Sequence, residues 1–153
     1  MATGMEAQGA MVKGSTWGTA ASCGALSSFL FLDEGLRKRQ ATEIDQSVGV
    51  PFPIWAEKSN IAVDGDLRAY LRYEGLMLQL ALAMGTAGAP TQQGATAAYK
   101  HVLQLNDKLD GLFGTLAFDK IQQFHEYPSV KLAGFSIRGE GGKPCEITFN
   151  AIA

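Results

Sequence analysis

The alternation of apolar and polar residues is strongest between Ile61 and Tyr73. Ile61, Val63, Gly65, Leu67, Ala69, Leu71 and Tyr73 take every odd position. Ala62, Asp64, Asp66, Arg68, Tyr70 and Arg72 take the even ones and are mostly polar. A period of two means a long strand with one buried and one wet face. Asp64-Gly65 is also a two-residue hairpin signal. That turn would set Val63 opposite Asp66 and Ile61 opposite Arg68, and cross-strand partners share a face. The pattern therefore predicts one continuous strand, bent at Gly65.

The period then changes. From Glu74 to Met84, Leu76, Leu80 and Ala83 fall on one helical face with Met77 and Met84 beside them. Glu74 would lie in the first turn, where the helix dipole favours a carboxylate, and Gly85 is a natural terminator. This predicts one helix, apolar nearly all round and so covered on several sides.

Elsewhere the chain reads as short strands and turns. Residues 1–25, rich in Gly, Ala, Ser and Thr, read as an extended N-terminal arm. Leu26 to Leu32 (LSSFLFL) fits a buried strand. Leu36 to Ile44 is ambiguous between strand and helix. Gly49, Pro51 and Pro53 make Gln46 to Trp55 a loop. Thr86 to Ala97 is a small-residue loop, and Tyr99, His101, Leu103 and Leu105 alternate after it. Asn106 to Gly111 is turn chemistry. Leu112 to Phe118 and Ile121 to Tyr127 are strand candidates. Ser129 to Gly139 alternates but changes phase at Gly134, as a bulge requires. Glu140 to Pro144 is a turn. Cys145, Ile147, Phe149 and Ala151 then share one face of a last strand. The expected fold class is mainly β, a sandwich or barrel of antiparallel sheets with one flanking α-helix, in a single domain over residues 26–153.

Composition agrees with a packed domain: 153 residues, 46% hydrophobic and 18% charged. The 18 glycines favour many turns. A net charge of −2 argues against electrostatic nucleic-acid binding and suits a surface that DNA passes without sticking. There is no secretory signal pattern. Leu76 to Met84, the longest apolar run, is interrupted by Gln79 and far shorter than the roughly 18 residues of a membrane span. The expectation is a soluble protein made in a cytoplasm.

Candidate chemistry is sparse. His125-Glu126 lacks the second histidine of a zinc protease motif, and Pro128 blocks the helix that would align it. His101 stands in an alternating strand. Asn106 to Gly111 resembles a calcium loop superficially, but Lys108 sits at a ligand position and no Glu closes it. Cys23 and Cys145 have no CxxC spacing and read as two reduced, mostly buried thiols, with a single bridge left open. Cys23 has no nearby histidine to make it a nucleophile. Ser15 and Ser22 are in no nucleophile elbow. Lys13 to Thr16 has no preceding glycine-rich loop, so it is no phosphate loop. Arg37-Lys38-Arg39 fits a solvated face or an intersubunit salt bridge. No catalytic, cofactor-binding or metal site is expected, and the chain reads as not an enzyme.

Several short motifs carry a resemblance. Lys13 to Ala20 (KGSTWGTA) resembles the opening of one family of bacteriophage tail tube (major tail) proteins. Val63 to Gly85 resembles that family's strand, its "EG" pair and its short apolar helix ending in Gly. Ala98 to Leu105 (AYKHVLQL) is similar to the segment with its "Tyr-x-His" pattern. Val130 to Ile152 resembles its closing hairpin. The resemblance implies a structural virion protein of a phage or phage-derived tail, assembled in the bacterial host cytoplasm. Its subunits form rings, and one sheet from each joins a continuous β-barrel through which DNA passes without specific binding. It implies self-association and contact with other tail proteins such as the tape measure and the tail terminator, and no membrane. Residues 1–25 and the loop from about Arg37 to Trp55 are the matching stacking segments. Family members often carry a second similar domain where this sequence stops, so six single-domain or three double-domain subunits would build similar rings. A tail terminator, an adaptor or another β-sandwich binding module would share the patterning. A small β-barrel enzyme or ligand carrier would need a deep polar pocket.

Overall fold

A computed structural model describes residues 7–24, 27–49, 51–52, 55–107 and 111–153. The chain is 47% strand, in antiparallel sheets, with a single short helix among the described residues. In order the elements are β1 (Gln8–Lys13), β2 (Ser28–Phe29), β3 (Asp33–Glu34), β4 (Arg37–Arg39), β5 (Thr42–Ile44), β6 (Ala56–Lys58) and β7 (Ala62–Tyr70). Then come α1 (Met77–Met84), β8 (Gly85–Ala87), β9 (Thr91–Gln92), β10 (Tyr99–Lys100), β11 (Leu103–Leu105), β12 (Gly114–Asp119), β13 (Phe124–Arg138) and β14 (Glu146–Ile152). The main sheet runs β2-β1-β12-β13-β14-β7-β3, with β4 also on β7. Among the described residues the ladder does not close into a barrel.

Strand β13 holds the two halves together. Its first part, up to Val130, pairs with β12, and its second, Lys131 to Arg138, pairs with β14. Ile121 to Tyr127 and Ser129 to Gly139, read as two strands, are thus largely one. Pro128 is tolerated because the β12 register shifts there: Gly114 faces Val130 while Leu116 faces Tyr127. A bulge needs no ladder N–H from proline. The expected change of phase at Gly134 is a second register shift, between Leu132 and Gly134.

The stretch from Ser28 to Glu34 touches both edges of the sheet. Phe29 pairs with Gly9 of β1, and Asp33 and Glu34 pair with Arg68 and Leu67 of β7. Phe31 packs edge-on against Phe118 at 5.1 Å between centroids, and Phe29 does so at 6.3 Å. Such pairs add to the stabilisation that burial supplies. The Glu34 carboxylate meets the Lys120 ammonium at the end of β12. Leu30 and Leu32 point outward and are exposed, so LSSFLFL is only half buried.

The period-two segments bury the faces the pattern predicts. Val63, Leu67 and Ala69 of β7 lie in the core with Ile147, Phe149 and Ala151 of β14. Seven paired positions, Tyr70 to Asp64 against Glu146 to Ile152, confirm one unbroken strand through Asp64-Gly65. The pattern overreaches at its ends, since Ile61, Leu71 and Tyr73 are exposed. Helix α1 starts at Met77, so Glu74 precedes its first turn, which holds no acidic residue. Its buried line is Leu76, Gln79 and Leu82, with Leu80 and Ala83 packed at the margin. Gly85, left-handed at φ 92°, ends it as expected.

Two segments differ from expectation. Gln8–Lys13, read as part of the arm, forms β1, with six pairs to β12 and Met11 in the core. Residues 1–6 and 25 of the expected arm lie outside the described residues, as do Pro53 of the expected loop, Lys108 of the expected turn and Leu26. Thr86 to Ala97, read as loop, is half of a long hairpin: Gly85 faces Leu105, Thr91 faces Lys100, and Gln93 N–H donates to the Ala98 carbonyl at 2.9 Å.

Backbone approaches β7 closely at Gly65. A Cβ on Gly65 would lie 2.3 Å from the Gly35 carbonyl oxygen and 2.7 Å from Leu36 Cα. Neither is a flexible side-chain end, so Gly65→Ala must displace the β3–β4 connection. We expect it to cost about 2 kcal/mol in urea unfolding. Gly134→Ala, with nothing within 4 Å of its Cβ, should cost much less. Equal effects would refute the close-approach account.

Candidate functional site

The residues with chemical potential are dispersed. His125 is half-buried in β13 and pairs across from Phe118, whereas His101 is exposed between β10 and β11. Among the described residues no group of three or more His, Cys, Asp or Glu is placed to hold a metal ion. Ser15 and Ser22 are exposed. Lys13 ends β1, and its following Gly14 N–H donates to the Phe113 carbonyl at 2.9 Å, a packing contact rather than a phosphate cradle.

Both cysteines are free. Cys23 is half-buried, with its thiol 4.0 Å from the Thr115 carbonyl. Burial, and secondarily the charge of Glu126, push its pKa up, so thiolate is scarce. Cys145 is exposed, not buried as its place in a strand pattern suggested, because β14 begins one residue later at Glu146.

The surfaces are more distinctive than any pocket. The β13–β14–β7 layer has one face on the core and one face bare. The bare face carries Asp64, Asp66 and Arg68 of β7 and Glu146, Thr148 and Asn150 of β14. Opposite charges are interleaved there: Arg68 Nη2 bonds Glu146 Oε2 at 2.8 Å, and Arg39 Nε meets Asp64 Oδ1 at 2.9 Å. The Glu146 contact raises the Arg68 pKa further, so this cation is never released by titration. Arg37-Lys38-Arg39, read as a solvated face or an ion-pair donor, is exposed on β4, and Arg39 takes its partner within the chain.

Both margins of this layer are open. On the β12 side the β13 ladder stops at Val130, and among the described residues no strand continues it along Lys131–Arg138. Phe135 and Ile137 stand on that margin partly exposed, although their cross-strand neighbours Phe149 and Ile147 are fully buried. On the other margin β3 and β4 pair only with β7 among the described residues.

Two hairpins project from this body. In the first, β4–β5 returns as β6–β7; Thr42 faces Lys58 and Ile44 faces Ala56. Ile44, Val48, Phe52 and Trp55 on it are all exposed. The second, β8–β9 with β10–β11, exposes Tyr99, Val102 and Leu105. Clustered apolar side chains on protrusions mark contact surfaces. Sequence reading marked the first as a loop through its prolines, but neither as a hairpin, because strands wet on both faces leave no burial period.

Iodoacetamide at neutral pH should therefore alkylate Cys145 well before Cys23 in the native protein, followed by mass spectrometry. Cys23 should catch up only as pH rises toward its raised pKa or on unfolding. Faster labelling of Cys23 at neutral pH would contradict its burial.

The chain matches no protein-family model, and no curated protein matches it.

Proposed function

We propose that this chain is a structural subunit of a phage or phage-derived tail tube, self-assembling into rings and stacked rings around a channel. The open layer β13–β14–β7–β3/β4 carries this reading. A sheet whose two margins find no partner strand among the described residues, with an apolar fringe at Phe135 and Ile137, is a template for pairing with another copy. Edge-to-edge repetition round a ring removes both margins at once. The core covers one face, so the other face lines the channel.

The charges of that face suit passing DNA. A polyanion is retained where cations displace its counterions. Here Arg68 and Arg39 are held by carboxylates, and Asp33, Asp64 and Asp66 balance the arginines along the same trench. The exposed hairpins then supply contacts between rings, together with the N-terminal residues. The role is structural rather than catalytic.

Negative-stain microscopy at low and high concentration tests this directly. Rings or hollow tubes of uniform width are expected. A monodisperse monomer at every concentration would overturn the reading, and a closed ring that never stacks would favour a terminator or adaptor. Ile137→Lys, on the open margin and partly exposed, should leave the chain folded by circular dichroism and abolish rings.

A further inference from the structure

The two outer margins of the open layer carry enough information to select how they would meet. Both are accessible. Asp33, Gly35 and all of β4 are exposed on one, and Phe135 to Arg138 on the other. Pairings across the layer fix their relative heights. One row runs Asp33, Arg68, Thr148, Ser136, and another runs Arg37, Asp64, Ile152, Lys131. A second copy joined level with the first would set its Arg37 against Lys131 and its Arg39 against Ser129. The first contact opposes two cations. The second place is taken: Ser129 Oγ accepts the Gly18 N–H at 2.7 Å, and Val130 beside it pairs with Gly114 of β12.

A slip along the seam removes both conflicts. Closing a sheet on itself tilts its strands and staggers the join. An odd slip would set core-side residues of one edge against wet-side residues of the other. A slip of two residues toward Arg138 is the smallest that clears β12. It sets Asp33 of one copy opposite Arg138 of the next, Leu36 opposite Phe135 and Arg37 opposite Gly134. Asp33 to Arg39 then spans Arg138 to Lys131, the whole open part of β13. A slip of four would carry Asp33 beyond the end of β13, to Glu140.

We propose that β3–β4 of a second copy pairs antiparallel with Lys131–Arg138 of β13 in this register, with Asp33 and Arg138 as the ion pair of the seam. This rests on the self-assembly reading above and adds the register to it. Among the described residues neither Asp33 nor Arg138 is in a salt bridge within the chain. Arg39 falls opposite Lys131, but each cation is already engaged: Arg39 by the Asp64 carboxylate at 2.9 Å, and Lys131 by the Trp17 ring at 5.6 Å. Phe135 and Ile137 gain the neighbouring strand that β12 supplies to the first half of β13.

Paired cysteines read the register directly, in the full chain with Cys145→Ser to remove the exposed native thiol. Arg37→Cys with Gly134→Cys should give, after mild oxidation, a ladder of disulfide-linked chains on a non-reducing gel. Gly134 has nothing within 4 Å of an added Cβ, so it accepts the change. Strands β14 and β7 separate the two positions within one chain, so only neighbouring copies can join them. Arg37→Cys with Lys131→Cys, the level register, should give little. Asp33→Arg should raise the concentration needed for assembly roughly tenfold, and adding Arg138→Asp should restore it, with circular dichroism unchanged in both. Assembly unaffected by Asp33→Arg, or not rescued, would overturn the ion pair. A ladder from the Lys131→Cys pair instead, or rings with no bridge in either pair, would overturn the register and leave the tube reading intact. Failure of the unmodified chain to associate at any concentration would overturn both.

Discussion

The fold depends on one strand serving two ladders. Fifteen residues of β13 pair first with β12 and then with β14. The exchange happens near Val130 and Leu132, both buried, so the point of transfer is also the centre of the core. From it, β12 and β1 spread to one side and β14 and β7 to the other. The Ser28–Glu34 stretch then ties the far margins together through Phe29, Phe31, Phe118 and the Glu34–Lys120 ion pair. Helix α1 closes the remaining gap with Leu76 and Leu82. Burial of those aromatic and aliphatic side chains contributes on the order of 1.5–3 kcal/mol each, far more than the exposed ion pairs do.

Among the described residues, that arrangement leaves the second half of β13 paired on one side only. The same transfer that unifies the core therefore creates the open margin at Phe135 and Ile137. If copies pair along this margin as proposed, the stability of the single chain and that pairing would depend on one feature and could not be tuned separately along this strand.

Legibility in the sequence followed burial. Strands β7 and β14 stand out because one face is apolar and the other wet, and the structure buries Val63, Leu67, Ile147 and Phe149 as the period requires. Strand β1 was hidden: in QGAMVK the buried positions are Gly9 and Met11, and a glycine gives no apolar signal. Pro128 looked like a break because the sequence cannot show that β12 shifts register opposite it. The helix was found but its buried line was rotated, since a glutamine in a core position defies any hydrophobicity count. The projecting hairpins were invisible for a simpler reason: where both faces are wet, no face is selected. The candidate surfaces lie mainly in those wet regions, so the fold was far more readable than the site.

Strand direction adds a last consequence. Moving across the open layer, β13, β14, β7 and then β3/β4 alternate strictly, so its two outer margins run in opposite senses. Copies joined by rotation about a common axis would thus meet antiparallel at every seam, whatever their number. A layer of three strands would force like-directed seams. Strand parity places no restriction on how many copies close the circle; curvature and side-chain fit at the seam are left to choose it, and a substitution there can change the count without disturbing the fold.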